Sequence, residues 1–511
     1  MYDQTSQALK INNGLTKPFR THRGVRQGCI LSPKLFNLFV NDLPKIFNKR
    51  CDPVTLGLNQ SLNCLMYADD LILISETATG LQICLDKLRD YTEKWDLKLN
   101  LKKTKIMVFN KGGRKNTIPF FFGGNVVEQT TSYKYLGTII TDTGNFKLNR
   151  SNLKRKGLRA SYIILKNIGW FSKPQTAIRL YEKLIEPILL YNCEISEAYM
   201  PKTWDFKKFK TNMWDMGKEI NQVTIGFIRQ LLGVNKKSTN LAVLAETGKY
   251  PICIKIFERI MKYWTRISTS TNILLRESFT ANILESRNGK QNWLKIIYFL
   301  TKISDLKDKP NMNQLHNKKI IKSFKTIIQN KFEDWWLKQA TPTGKNKLDF
   351  YYTFKRSYKY ETYLDLLPRH LRIPTTRFRI SNHCLPIEVL RYTKKRKKER
   401  TERTCDICNL REMGDEQHYL LRCRNNEVSY ARKQFIQLAK STNSQMVQFT
   451  DKNIFDYSLT MKDSLIQAPL AKFIKTILDT FREETQIKKA VEVPITTRSG
   501  RLVKKPQKLD L

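Results

Sequence analysis

Apolar positions along the chain recur with two periods, and the change from one to the other divides it. Ser32 and Pro33 open a stretch in which Leu35, Phe36, Phe39, Val40 and Leu43 return at helical spacing, with Pro44 near its end. Across 63–75 the polar Ala68-Asp69-Asp70 stands between Cys64-Leu65-Met66-Tyr67 and Leu71-Ile72-Leu73-Ile74, which predicts a hairpin whose tip carries two carboxylates. From Thr79, Leu81, Leu85, Leu88, Tyr91 and Trp95 recur every three or four residues and predict an amphipathic helix. Three further strands are expected at 106–109, 118–127 and 133–140. Residues 1–141 therefore read as an α/β unit, a small sheet with helices. Beyond Asn145 the apolar stripes at 153–168, 177–190 and 225–232 are helical and their surroundings basic. Lysine-rich and aromatic helices continue across 267–338, followed by a tyrosine-dense stretch at 351–363. From Val493 onward Pro494, Gly500, Pro506 and basic residues leave almost no core, and a disordered tail is expected.

Charge narrows the classes. Lysine and arginine number 91 against 46 aspartates and glutamates, a net +45 on 511 residues. So large an excess repels itself in the folded state and points to a polyanionic partner, nucleic acid above all. No run of ~18 apolar residues suits a membrane span and Met1 is not followed by a signal-peptide pattern. An intracellular protein of the nucleus or cytoplasm is expected. The ten cysteines are too scattered for a disulfide scaffold: Cys29, Cys51, Cys64, Cys84, Cys193 and Cys253 sit mostly in apolar neighbourhoods, as reduced buried thiols do.

Two constellations carry chemistry. Asp69 and Asp70, adjacent on a turn, repel unless cations neutralise them, and magnesium or manganese held there would serve nucleotidyl transfer. A solvated polar turn is the competing reading. Farther on, Cys405 and Cys408 lie two residues apart, His418 follows after nine and Cys423 after four more. Three thiolates and an imidazole at these spacings suit a closed tetrahedral zinc site. His383 and Cys384 are read as a packed histidine and a buried thiol, not as ligands. The run 394–398 either grips phosphate, directs nuclear import or is a solvated charged stretch.

The surroundings of the aspartate pair carry a resemblance. Arg23-Gly24-Val25-Arg26-Gln27-Gly28-Cys29-Ile30-Leu31-Ser32-Pro33, then Tyr67-Ala68-Asp69-Asp70, then Leu99-Asn100-Leu101-Lys102-Lys103-Thr104-Lys105, then Tyr133-Lys134-Tyr135-Leu136-Gly137 resemble four successive motifs of the reverse transcriptase palm, in the form of non-LTR (LINE-type) retrotransposons. Leu232-Gly233-Val234 through Leu244-Ala245-Glu246-Thr247-Gly248 resembles the family's post-thumb segment. The stretch from Ile380 to Glu388, the Cys/His cluster and Tyr419-Leu420-Leu421 resemble the region that follows the thumb. The recognisable pieces reach from Tyr2 to about Tyr430, with a gap between Ile267 and Leu367.

The resemblance implies a partial right-hand polymerase: an α/β palm (1–141), a helical thumb and post-thumb segment (142–260), a helical basic region (261–392), a basic run with a zinc knuckle (393–430), a helical tail (431–492) and a basic tail (493–511). It implies RNA-directed DNA polymerase chemistry on an RNA template and a DNA primer or target. Asp69 and Asp70 become metal ligands, Arg26, Gln27 and Gly28 lie beside template and nucleotide, Lys103 neutralises the leaving pyrophosphate, and Tyr135, Leu136 and Gly137 grip the primer end. For Lys103 the alternative is one solvated lysine among many. The family's first catalytic aspartate and its fingers lie upstream of the Arg23 motif, so the chain is expected to be entered partway through the palm and to have little activity alone; a non-catalytic nucleic-acid-binding remnant is the alternative function.

Overall fold

The computed structural model describes residues 6–491 except 13, 21–23, 27, 59, 110–117, 169–172, 199–202, 289–291, 305–317, 341–345, 393–397 and 461–463. Gln27, most of the 394–398 run and the tail from 493 therefore lie outside the described residues.

The first 141 residues are built around one helix, Ala78–Lys94, begun by Thr77, whose side-chain oxygen accepts from the Gly80 amide. Its Leu85 joins Ile106, Phe120 and Val127 in one small core. Its Leu88 and Tyr91 join Leu43 in another, onto which Met66, Leu71 and Leu73 pack. The strands among the described residues, in chain order, begin with β1 (Ser6–Gln7), β2 (Lys10–Ile11), β3 (Gly14–Leu15), β4 (Phe19–Arg20), β5 (Val54–Leu56) and β6 (Gln60–Leu62); β7 (Cys64–Tyr67) then pairs antiparallel with β8 (Asp70–Leu73), Met66 opposite Leu71 and Tyr67 opposite Asp70. Because side chains alternate across a strand, Met66 and Leu71 face the helix while Tyr67 and Asp70 share the other face. The Ser32–Phe39 helix starts with Pro33 in its first turn but stops before Pro44, which opens a separate 3-10 turn, Leu43–Ile46.

The expected single small sheet is not formed. The described strands make six separate two-stranded antiparallel pairs. Two of the three expected strands are themselves hairpins. Residues 118–127 fold at Gly123 and Gly124, both at positive φ, into β9 (Phe120–Phe122) and β10 (Asn125–Val127). Residues 133–140 fold at Leu136 (φ 42°) and Gly137 (φ 83°) into β11 (Ser132–Tyr135) and β12 (Thr138–Thr141). At 106–109 a single bridge forms, Ile106 to Gln129. Apolar runs of this length do not reveal a turn inside them, and the turn residues decide.

The remainder is helical. Helix Lys147–Ile168 buries the ridge Asn149, Leu153, Gly157 and Ser161 against helix Lys218–Leu232. One hydrophobic core then runs from Ala177 to Phe481, taking in Trp336, Phe378, Cys405, Tyr419, Cys423 and Phe473 on the way.

Candidate functional site: an acidic hairpin and a Cys/His cluster

The β7–β8 turn presents its carboxylates to solvent. Ala68 takes a left-handed conformation (φ 53°), and Asp69 and Asp70 on either side of the turn's end are both exposed. The Tyr135 hydroxyl of β11 is shifted above the ordinary phenol range, by burial first and by the Asp70 charge second. The Asp70 charge thus reaches as far as the β11–β12 hairpin. Two contacts from farther along the chain steady the β11–β12 turn. Tyr191 donates its hydroxyl to the Leu136 carbonyl at 2.6 Å, and Asn192 Nδ2 reaches Thr138 Oγ1 at 3.1 Å. A third, the Asn149 side-chain oxygen, accepts from the Ile139 amide.

Lys103 is brought to the same region by its backbone. Its carbonyl accepts from the Tyr133 hydroxyl at 3.1 Å, while its own amide is capped by Asn100, and its side chain is exposed. Arg26 and Gly28 lie in the loop before the Ser32–Phe39 helix. The Arg26 carbonyl accepts from the Ser32 hydroxyl, and Gly28 (φ 86°) has open space where a Cβ would stand. No hydrogen bond joins either of them to Asp69 or Asp70 among the described residues.

Tyr191 and Asn192 carried no signal in the sequence, lying just past the apolar stripe at 177–190.

The second constellation is compact. One ligand atom from each of Cys405, Cys408, His418 and Cys423 lies within 4.8 Å of the other three. A tetrahedral zinc with bonds of ~2.3 Å separates its sulfurs by roughly 3.8 Å, so a small contraction would close the shell. His418 Nε2 is 3.4 Å from Cys408 Sγ. Cys405 is held far below the ordinary thiol range, at about 3, first by the hydrogen bond from Cys423 and then, against the opposing effect of burial, by His418. The ligands are set by backbone: the Cys405 amide pairs with the Glu412 carbonyl, Asp415 accepts from the His418 amide at 2.8 Å, and Arg432 donates to the Leu420, Tyr419 and Cys423 carbonyls. His383 and Cys384 stand apart from this group. His383 Nε2 lies 2.9 Å from Glu416 Oε1, and the Cys384 thiol faces the Leu478 carbonyl.

With the hairpins and their motifs in place, the class follows: residues 2–140 match the family "Reverse transcriptase (RNA-dependent DNA polymerase)", which makes this part of the chain a reverse transcriptase palm domain. Among the relatives are Pol polyproteins of retrotransposable elements and the RNA-directed DNA polymerase of a mobile element. Over 159 residues the chain is 33% identical to the Drosophila melanogaster "Retrovirus-related Pol polyprotein from type-2 retrotransposable element R2DM", a match covering 29% of this chain and 15% of that protein. Over 185 residues it is 24% identical to the "RNA-directed DNA polymerase from mobile element jockey" of the same species, covering 34% and 19%. The type-1 R2 element polyprotein of Nasonia vitripennis is 27% identical over 153 residues, covering 28% and 15%. The matched part thus amounts to less than a fifth of each relative's length. None of the helices among the described residues is long and apolar enough to cross a membrane.

Proposed function

We propose that the chain is part of an RNA-directed DNA polymerase of the non-LTR retrotransposon type, with its metal-binding carboxylates at Asp69 and Asp70. The observation that carries this is the pair of exposed aspartates on one hairpin tip, inside the segment similar to reverse transcriptases, with the Asp70 charge acting on the Tyr135 hydroxyl. The donor set suits a hard cation: two carboxylate oxygens on an exposed turn leave room for waters and substrate phosphates, as magnesium or manganese prefers. When bound, such a cation stabilises the attacking and leaving oxygens of phosphoryl transfer. The chain's own residues hold the reactants. Arg26, Gln27 and Gly28 lie along template and incoming nucleotide, where a glycine lets the backbone approach. Lys103 neutralises the departing pyrophosphate, a task for a mobile point charge. Tyr135, Leu136 and Gly137 hold the primer end.

The helix Lys147–Ile168, which follows this hairpin directly, extends the track. It carries Lys147, Arg150, Lys154, Arg155, Lys156, Arg159 and Lys166 and no acidic residue. Arg155, Arg159 and Lys166 are exposed beside Leu158 and Tyr162, a surface suited to phosphates and the sugar faces of a template–primer duplex. Cys405, Cys408, His418 and Cys423 hold zinc as a closed structural site. RNA template and DNA primer or target are the partners.

A second reading is favoured by one observation. Among the described residues no third metal-ligating side chain groups with Asp69 and Asp70. Two carboxylates position a cation loosely, and a chain that binds nucleic acid without copying it is the result. Primer extension on an RNA template with magnesium separates the two. Incorporation that falls to background in Asp69→Ala, with template binding unchanged in a gel shift, supports the polymerase. Binding by the wild type with no incorporation at any magnesium or manganese concentration overturns it in favour of the binding protein.

A further inference from the structure

We infer that Glu412 positions the ligand His418, by accepting from its Nδ1 and so presenting Nε2 to the three thiols; this rests on the zinc reading above. Glu412 Oε2 lies 3.1 Å from His418 Nδ1 and accepts from Arg422 Nε at 2.7 Å. A carboxylate oxygen already paired with a guanidinium has only lone pairs to offer, so the hydrogen between it and the imidazole belongs to Nδ1. With Nδ1 keeping its hydrogen, Nε2, the nitrogen 3.4 Å from Cys408 Sγ, is the one whose lone pair a metal can take. The neutral imidazole with this nitrogen free is the form a metal takes.

The backbone explains why one carboxylate meets both groups. Residues His418–Arg422 form a single π-helical turn, closed by the Cys423 amide on the His418 carbonyl at 2.8 Å. The wider turn sets His418, Arg422 and the Cys423 thiol around one side of the loop that carries Glu412. The molecule offers a contrast nearby. His383 also pairs with a buried carboxylate, Glu416, which takes a further bond from the Ser381 hydroxyl, but His383 is not among the four clustered ligands. A histidine–carboxylate pair by itself therefore does not mark a metal site here; the pair at Glu412 differs in having its second nitrogen aimed at thiols.

The test uses the full chain and the metals alone. Zinc affinity is measured by competition with a chromophoric chelator, the visible spectrum is recorded after loading with cobalt(II), and the thermal unfolding of the metal-free chain is followed in parallel. Glu412→Ala is expected to weaken zinc about 10–100-fold and to change the cobalt spectrum. The metal-free melting curve should not move, since Glu412 and Arg422 are 39% and 45% exposed. Glu412→Gln, whose amide oxygen still accepts from Nδ1, should recover much of the affinity. Equal zinc affinity in wild type and Glu412→Ala overturns the positioning role while leaving the site standing. So does a loss that Gln fails to recover and that is matched by a lower metal-free melting temperature. A wild type that takes up neither zinc nor cobalt removes the site itself, and the inference with it.

Discussion

Glu197 is the residue whose surroundings are least comfortable. Its side chain is 7% exposed, its Oε1 has no hydrogen-bond partner, and the nearest cation, Arg150 Nε, stands 3.9 Å away while that arginine's Nη1 is given to the Ser196 carbonyl. Burial pushes its carboxyl up to about 7, outweighing Arg150, and Glu219 adds to the rise. A carboxyl that binds its proton more tightly folded than unfolded costs stability as pH rises from its ordinary value of 4.5 to about 7, and the cost is complete above that. Glu197→Gln should therefore be more stable than wild type at pH 8, by roughly 3 kcal/mol, with the gap closing toward pH 5. Denaturant titrations at the two pH values check it, and a gap independent of pH would refute it. Nothing in the sequence singles out Glu197 from its neighbour Glu194. Asp69 and Asp70 were legible because adjacency forces a question that one isolated acid does not, and the answer then depended on the motifs around them.

At the scale of elements, the β11–β12 hairpin shows how a motif and its support part company. Tyr135-Leu136-Gly137 can be picked out from the chain, but the hydroxyl that holds the turn comes from Tyr191, 55 residues on. A Cβ at Gly137 would lie 3.2 Å from the Tyr191 ring, at a backbone φ of 83°. Gly137→Ala should thus lose about 1–2 kcal/mol from the left-handed backbone alone. Tyr191→Phe, which removes only the hydrogen bond, should lose about 1 kcal/mol. Chemical denaturation of both variants checks the pair, and a Tyr191→Phe cost equal to or above that of Gly137→Ala would contradict the account. The same limit explains the strands. Periodicity told which residues were extended, whereas Gly123, Gly124 and Gly137 determined that two of the extended runs fold back on themselves.

For the whole molecule, the decisive feature is a buried ion pair. Arg379 gives Nε and Nη2 to the two oxygens of Glu246 at 3.1 Å each, and Nη1 to the Leu459 carbonyl at 2.6 Å. Its plane lies over the rings of Phe354 and Tyr363, and Glu361 approaches Nη2 at 3.0 Å. Four stretches of chain converge on one guanidinium. Arg379→Met should cost about 3–5 kcal/mol, because it strands the fully buried Glu246. Burial alone would raise the Glu246 carboxyl, but Arg379 and Lys355 outweigh it and hold it below the ordinary range. The stability it contributes is then present above about pH 4.5 and lost as pH falls further. Acid titration of the two proteins should show the wild type's advantage shrinking as pH falls, first above pH 4.5 as the stranded Glu246 of Arg379→Met takes its proton and then below it as the paired carboxylate does. A constant difference down to the folded state's collapse would speak against it. The partners Glu246 and Arg379 were both visible as letters, yet no local pattern relates positions 133 apart. A helical stripe records which face is hidden and not what hides it.

The single core from Ala177 to Phe481 also bears on how the chain is made. The two small cores within residues 43–127 close with partners near in sequence. The helices Arg369–Arg379, Asn426–Thr442 and Asp451–Thr460 complete theirs only with the helix Ser464–Val491, whose Ile466, Ile474 and Phe481 belong to the same core. Until the helix Ser464–Val491 emerges, the apolar faces it covers on those helices stay open. Translation past that helix is when this part of the core is closed against aggregation.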